Sequence, residues 1–367
     1  MTSQTVPFVS LDHMHDEIAE EVDAGLSEVL RSKAFVLGPQ VAAFEQAYAA
    51  YCGVQHCLGV GNGTDALELA LRASGVRPGD EVIIPANTFV ATAEAVLRAG
   101  AKVVLADVDD DFLLDPASVR EHLTERTTAV VPVHLYGQMA QVELIAEAVG
   151  PGVAVVEDAA QSQGARRHGR RSGSLGTAAG TSFYPGKNLG AYGDAGAVTT
   201  GSAEVAEHLA KLRNHGGVRR YEHEVIGTNS RLDTVQAVVL SLKLARLDVW
   251  NGLRRDAADR YAALLKDAPG LTLPRTVPGN EHVWHLYVVQ VEERSKAQAA
   301  LDEAGVGTGI HYPAPIHLLP AFAYLDGRAG DHPVAEWQAS RILSLPMFPG
   351  ITAAQQEWAA EALLNVL

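Results

Sequence analysis

Between Cys57 and Thr200 the chain alternates short β-branched, mostly apolar runs with longer stretches of helical character, and no other feature restricts its possible folds as much. The runs are EVIIP (81–85), KVVLADV (102–108), TAVVPV (128–133), VAVVED (153–158), TSFYP (181–185) and GAVTT (196–200). A strand that is apolar along most of its length has no polar face to give to water, so it must be covered on both sides. Strands of this kind separated by helices predict a mainly parallel sheet between helical layers. Helix starts are legible too: Asp115 followed by Pro116 offers an N-cap and a proline in the first turn.

Further along, Val235, Val238, Val239 and Leu242 recur at i, i+3, i+4 and i+7, which predicts an amphipathic helix over 233–250 interrupted at Asn251 and Gly252. The alternation then loosens into a helix (256–266), a strand (283–291), a helix (295–304) and a last helix (353–364). A chain of 367 residues exceeds what one core serves well. We therefore expect a large α/β unit over 1–246 and a smaller α/β unit over 247–367. Lysine and arginine number 29 against 44 acidic residues, and the net charge of −15 works against nucleic acid and anionic membranes at long range. No run approaches the ~20 apolar residues that cross a bilayer, and the amino terminus lacks a basic start leading into an apolar stretch. These readings predict a soluble, cytoplasmic protein with no nucleic-acid or membrane partner. Cys52 and Cys57 fit no zinc or redox spacing, and the histidines form no HExxH pair, so no metal is expected.

In open α/β sheets ligands bind beyond the carboxyl ends of the strands. At those positions stand Thr88 and Phe89 after EVIIP, His134 and Tyr136 after TAVVPV, Asp158 at the end of VAVVED, and Lys187 just past TSFYP. Lys187 lies in PGKN, where a glycine turn exposes its side chain. Asp158 ends an apolar strand, where a charge is costly unless it meets a cation. GNGTDALELAL (61–71) is a glycine-rich turn entering a helix, whose free amides and dipole suit a phosphate. Ser182 can add a hydroxyl and Phe89 a flat face. An aldehyde cofactor such as pyridoxal 5'-phosphate asks for these parts: a lysine for the Schiff base, a carboxylate at the ring nitrogen, a phosphate cradle and a stacking partner.

Each signal alone has a plainer reading. A lysine after a strand is usually a solvated charge, an aspartate there a turn former, and Phe89 a core residue. Their ordered occurrence at successive strand ends favours one shared cause. GVGNGT also approaches a dinucleotide fingerprint, but Thr64 stands where the third glycine belongs. RRHGRR (166–171) suits an exposed hairpin better than a nucleic-acid patch. KLRNHGGVRRY (211–221) collects Lys211, Arg213, Arg219 and Arg220; it is either a solvated loop or a site for phosphate oxygens.

The segments FVLGPQVAAFEQAYAAYCG, GNGTDALELAL, PANTFVATAEAV, VPVHLYG, VEDAAQSQGA, SFYPGKNLGAYGDAGAV, GTNSRLDTVQA and HYPAPIHL together resemble the DegT/DnrJ/EryC1/StrS sugar aminotransferases over nearly the whole chain. The resemblance implies an aspartate-aminotransferase-like (fold type I) architecture, with a seven-stranded, mainly parallel sheet and a smaller carboxy-terminal domain. It implies that Lys187 carries the cofactor, Asp158 holds the ring nitrogen, Phe89 stacks on the ring and Gln161 lies near the ring hydroxyl. It further implies phosphate contacts from Gly63, Thr64 and Ser182, with Asn229 reaching in from the neighbouring subunit of a homodimer. Tyr184, His311, Tyr312 and His317 are implied as sugar contacts, and Arg219 is the candidate for the nucleotide's diphosphate. The implied reaction moves the amino group of L-glutamate to a nucleotide-linked keto-sugar. SFYPGKNLG is more similar to members that aminate C3, which favours a dTDP-3-keto-6-deoxyhexose. Amination at C4, amination of a cyclitol, and a non-catalytic, cofactor-binding regulator are the alternatives.

Overall fold

The computed structural model describes residues 5–219 and 221–367. Seven strands form the main sheet: β1 His56–Val60, β2 Glu81–Pro85, β3 Lys102–Ala106, β4 Thr127–Val130, β5 Ala154–Asp158, β6 Ala178–Ser182 and β7 Gly196–Thr200. Their spatial order is β1-β7-β6-β5-β4-β2-β3. β7 pairs antiparallel with β1 and β6, and the pairings from β6 through β5, β4 and β2 to β3 are parallel. β2 and β7 are buried at every position, as strands covered on both faces must be.

Helices α1 Gly63–Ala73, α2 Val90–Arg98 and α3 Ala203–Leu212 pack on this sheet around one large core that includes Leu69, Val82 and Val198. Next come α4 Thr234–Leu244, α5 Leu247–Leu265, α6 Arg294–Glu303 and α7 Ala353–Leu364. A second core gathers Tyr261, Val289, Leu301, Leu343 and Leu363 from α5, α6, α7 and a small antiparallel sheet of β8 Leu271–Thr272, β9 Tyr287–Val291 and β10 Ile342–Leu345. Val6 belongs to this second core and bridges Val306, so the start of the chain packs with its carboxy-terminal part.

Several elements differ from the sequence expectation; among them, the strands expected over 128–133 and 102–108 end early, at Val130 and Ala106. β6 begins three residues before the TSFYP run and stops at Ser182, because Ala179 and Gly180 gain a ladder from neighbours on both edges, and Ala178 from one, despite weak strand character of their own. Asn251 and Gly252 do not interrupt a helix; the break falls between Leu244 and Leu247, and both residues lie inside α5. The strand expected over 283–291 starts only at Tyr287, since Trp284 turns the backbone to φ 45. The RRHGRR segment is the expected hairpin, Arg166–Arg167 against Arg170–Arg171. Cys52 and Cys57 are free and buried.

Candidate active site

β2, β5 and β6 all point their carboxyl ends at one cavity of about 670 Å³. β5 delivers two neighbouring carboxylates to opposite faces, and their surroundings set them apart. Glu157 is closed in by its own chain: His134 Nε2 donates to it at 2.8 Å, and the amides of Gly173, Leu175 and Gly176 donate at 3.0, 2.7 and 2.8 Å. Burial opposes its charge, but these donors more than offset it and hold its pKa below the usual value. Asp158 faces the cavity with fewer partners, Thr92 Oγ1 at 2.8 Å and the Ala160 amide at 3.1 Å. Burial there wins over Thr92, the Ala160 amide and the nearby Lys187 charge, so its pKa is raised. A buried carboxylate left short of counter-charge fits a site that receives a cation from outside the chain.

Lys187 follows β6 in a turn closed by its own amide on the Tyr184 carbonyl at 2.8 Å. Burial pushes its amine down to about 8, against the attraction of Asp158. Lys243 is also pushed down to about 8 by burial, but it sits in α4 over the Tyr192 ring and does not line the cavity. Only the first combines a weakened amine proton with access to the site.

Gly63 and Thr64 are the first two residues of α1, where backbone amides have no intrahelical acceptor. Asn62 caps the helix by accepting from the Asp65 amide at 2.8 Å. A Cβ on Gly63 would lie 2.6 Å from the Ser182 Cβ, so the glycine keeps a notch open between α1 and β6. Both Thr64 and Ser182 line it, and a tetrahedral anion fits such a cradle. Phe89, the N-cap of α2, is 49% exposed and lies 5.2 Å from the Tyr312 ring. Gln161 accepts from the Tyr136 amide at 2.7 Å and donates to the Tyr312 hydroxyl at 3.1 Å. Tyr184 and His311 complete the wall; His311 is stacked on Phe8 and bonded to Ser344 at 2.8 Å.

Other residues singled out from the sequence fall elsewhere. His317 does not line the cavity: the Ile316 amide is tied to the Ala86 carbonyl, and the next ring turns away to Glu336 at 3.0 Å and packs edge-on against His332. His134 is enclosed with Glu157 rather than open to ligand. Lys211 is held by Glu207 and Glu224, both at 2.9 Å, and Arg213 by Glu45, so neither is a ready phosphate ligand. Arg219 is exposed on the hairpin Gly217–Arg219 with Glu222–His223, and Arg220 lies outside the described residues. Asn229 is exposed and away from the cavity of its own chain. Sequence reasoning missed Thr92 and His285, both lining the cavity. The i, i+4 spacing of Thr88 and Thr92, whose hydroxyls bond at 2.8 Å, was a readable signal for the first. His285 was hidden inside an apparent strand. No group able to hold a metal ion is found among the described residues.

Fold and site define a fold type I aminotransferase, and the comparisons agree. The chain belongs to the DegT/DnrJ/EryC1/StrS aminotransferase family, which it matches over residues 16–364. It is 46% identical to a dTDP-3-amino-3,4,6-trideoxy-alpha-D-glucose transaminase of Streptomyces venezuelae, with 96% of either chain covered. It is 47% identical to a pleiotropic regulatory protein of Geobacillus stearothermophilus, covering 98% of this chain and 97% of the other. The crystal structure of S. venezuelae DesV in complex with a ketimine intermediate superposes with a TM-score of 0.96 at 46% identity, over 98% of both chains.

Proposed function

We propose that this protein uses pyridoxal 5'-phosphate to move the amino group of L-glutamate to C3 of a nucleotide-linked keto-deoxysugar, with a dTDP-3-keto-6-deoxyhexose as the favoured acceptor. The observation that carries it is the pairing of a depressed lysine amine with an under-compensated carboxylate in one cavity that also holds a helix N-terminus. When bound, the cofactor supplies an aldehyde that condenses with amines and a protonated ring that takes up electron density. Lys187 is the residue that would hold it covalently, and its freed amine would be the base that takes the proton from the donor's α-carbon and returns it to the carbon on the other side of the amino nitrogen. Asp158 would keep the ring nitrogen protonated, with Thr92 fixing the carboxylate's orientation. Gly63, Thr64 and Ser182 would cradle the phosphate, Phe89 would cover one ring face, and Gln161 would lie near the ring hydroxyl.

The sugar would meet Tyr184, His311 and Tyr312 at the rim, with Arg219 as the cation for the diphosphate. Asn229 would serve the partner subunit of a homodimer; its exposure outside its own cavity, and the exposed apolar Phe35, Val36 and Ile226, support that reading. We place the lobe boundary at 246/247, where α4 gives way to α5, and the protein in the cytoplasm. The trideoxyglucose transaminase named among the relatives supports C3 amination of a dTDP-sugar.

Incubation with L-glutamate and a panel of dTDP- and UDP-linked keto-sugars, following 2-oxoglutarate release, tests the activity. NMR of the product distinguishes C3 from C4 amination, and a cyclitol in the panel tests that alternative. The relative named as a regulator favours a second reading, a cofactor-binding protein that turns nothing over; absence of any spectral change with L-glutamate or other amino donors would support it.

A further inference from the structure

Beside Lys187 a line of buried amides fixes the tautomer of a histidine that has no role in the proposed chemistry. The direction of the line is set by a backbone carbonyl. Asn251 Nδ2 donates to the Gln163 carbonyl at 2.9 Å, so the Asn251 Oδ1 must face the other way, where it accepts from Asn188 Nδ2 at 2.9 Å. The same Asn188 Nδ2 donates to the Val283 carbonyl at 2.9 Å, which leaves the Asn188 Oδ1 facing His285 Nδ1 at 3.1 Å. An amide oxygen only accepts, so Nδ1 carries the proton. In the neutral ring Nε2 is then a bare lone pair, without a partner among the described residues, on a residue that lines the cavity.

The ring's placement is fixed from behind. Trp284 at φ 45 abuts Tyr136 at φ 60 and Gly137 at φ 105, two turns joined by the Val283 amide on the Gly137 carbonyl and the Leu286 amide on the Tyr136 carbonyl. A Cβ on Gly137 would come within 2.8 Å of the His285 amide nitrogen. The buried Arg254 donates to the carbonyls of Trp284 at 3.1 Å and His285 at 3.4 Å. Left-handed backbone at non-glycine residues persists only where surroundings over-determine it, and such places concentrate at functional sites. Burial and the Lys187 and Arg254 charges keep the imidazole's pKa well below its ordinary value.

We infer that His285 is a substrate-selecting residue, whose Nε2 accepts a hydrogen bond from a hydroxyl beside the keto carbon of the acceptor sugar. This rests on the keto-sugar reading above. The site must take two unlike substrates in turn. L-glutamate brings carboxylates, whose lone pairs an acceptor-only nitrogen repels, and an amine that is itself the reacting group. A sugar brings hydroxyls, which such a nitrogen receives. His285 therefore acts in the sugar half of the reaction.

The test follows the two half-reactions separately by absorbance. In His285→Leu the second-order rate constant with a keto-sugar should fall roughly tenfold further than that with L-glutamate. His285→Gln, which retains an acceptor oxygen, should recover part of the loss, and a sugar analogue lacking the hydroxyl should react alike with wild type and His285→Leu. Borohydride trapping at Lys187 shows that each variant's site is formed. Independently of activity, ¹⁵N NMR should find Nδ1 protonated and Nε2 bare at neutral pH. Equal losses in both halves, or a protonated Nε2, overturn the inference while leaving the sugar reading intact. A wild type that completes the glutamate half and aminates no keto-sugar overturns that reading, and this inference with it.

Discussion

Glu157 and Asp158 are chain neighbours with one charge each, and what separates them is the number of donors that their own chain supplies. The first is satisfied from within; the second waits for a cation. Asp158→Asn keeps the shape and the Thr92 contact but cannot hold a ring nitrogen protonated. We expect it to retain bound cofactor and to lose roughly 10²- to 10³-fold in kcat, the range seen when one preorganised charge-stabilising group is removed. Steady-state kinetics beside absorbance spectra check both halves of that statement. Lys187 gives a pH dependence of definite sign. Its amine titrates at about 8 rather than the ordinary 10.5, and only the unprotonated amine attacks an aldehyde. The rate of adduct formation on mixing apoprotein with cofactor should therefore rise up to about pH 8 and level off above it, as stopped-flow absorbance would show. Asp158 and Phe89 were legible in the sequence because the runs VAVVED and EVIIP locate the ends of β5 and β2, while Lys187 and Ser182 were singled out although β6 ends three residues before the expected strand end. His285 and the inward orientation of Glu157 were not, since a bare sequence shows neither a left-handed turn inside a β-like run nor the loop amides that close around a carboxylate.

At the scale of elements, the approach of α1 to β6 depends on one missing side chain. Gly63→Ala would drive a methyl group to 2.6 Å from Ser182 Cβ. Overpacking of this kind costs about 1–3 kcal/mol, so cofactor affinity, measured by fluorescence titration, should weaken by roughly tenfold while the apoprotein stays folded. α4 carries the opposite oddity in Lys243, a buried amine resting on Tyr192 with no hydrogen-bond or ion-pair partner among the described residues. Its fall from 10.5 to about 8 corresponds to roughly 3 kcal/mol. The cost is fully present below about pH 8, where folded and unfolded states both hold the proton, and it fades as pH rises to 10.5. Lys243→Met should thus raise the unfolding free energy by up to roughly 3 kcal/mol at neutral pH, with the gain shrinking at alkaline pH in denaturant titrations. The last helix was read at its observed bounds, and Thr352 with Gln355 closes its start in a capping box. The break between α4 and α5 was misplaced because Asn251 and Gly252 look like breakers, whereas the Asn251 side chain is spent on the Gln163 carbonyl and Asn188, which offsets its poor helical propensity.

For the whole molecule, the mainly parallel α/β sheet followed from the order of apolar runs, whereas Val6 joining the second core did not, because a single valine near the amino terminus carries no periodicity. The proposed homodimer makes a claim that mixing can test. If Asn229 serves the partner's site, co-refolding Lys187→Ala with Asn229→Ala should restore activity above either variant alone, since one site of each mixed dimer is complete. If Asn229 acts within its own chain, mixing restores nothing. The most direct measurement for the account as a whole is covalent. The wild-type protein is incubated with pyridoxal 5'-phosphate, reduced with borohydride, digested and mapped. We predict one stable adduct, on the peptide that carries Lys187. An adduct elsewhere, as on the equally weakened amine of Lys243, or no adduct at all, would contradict it.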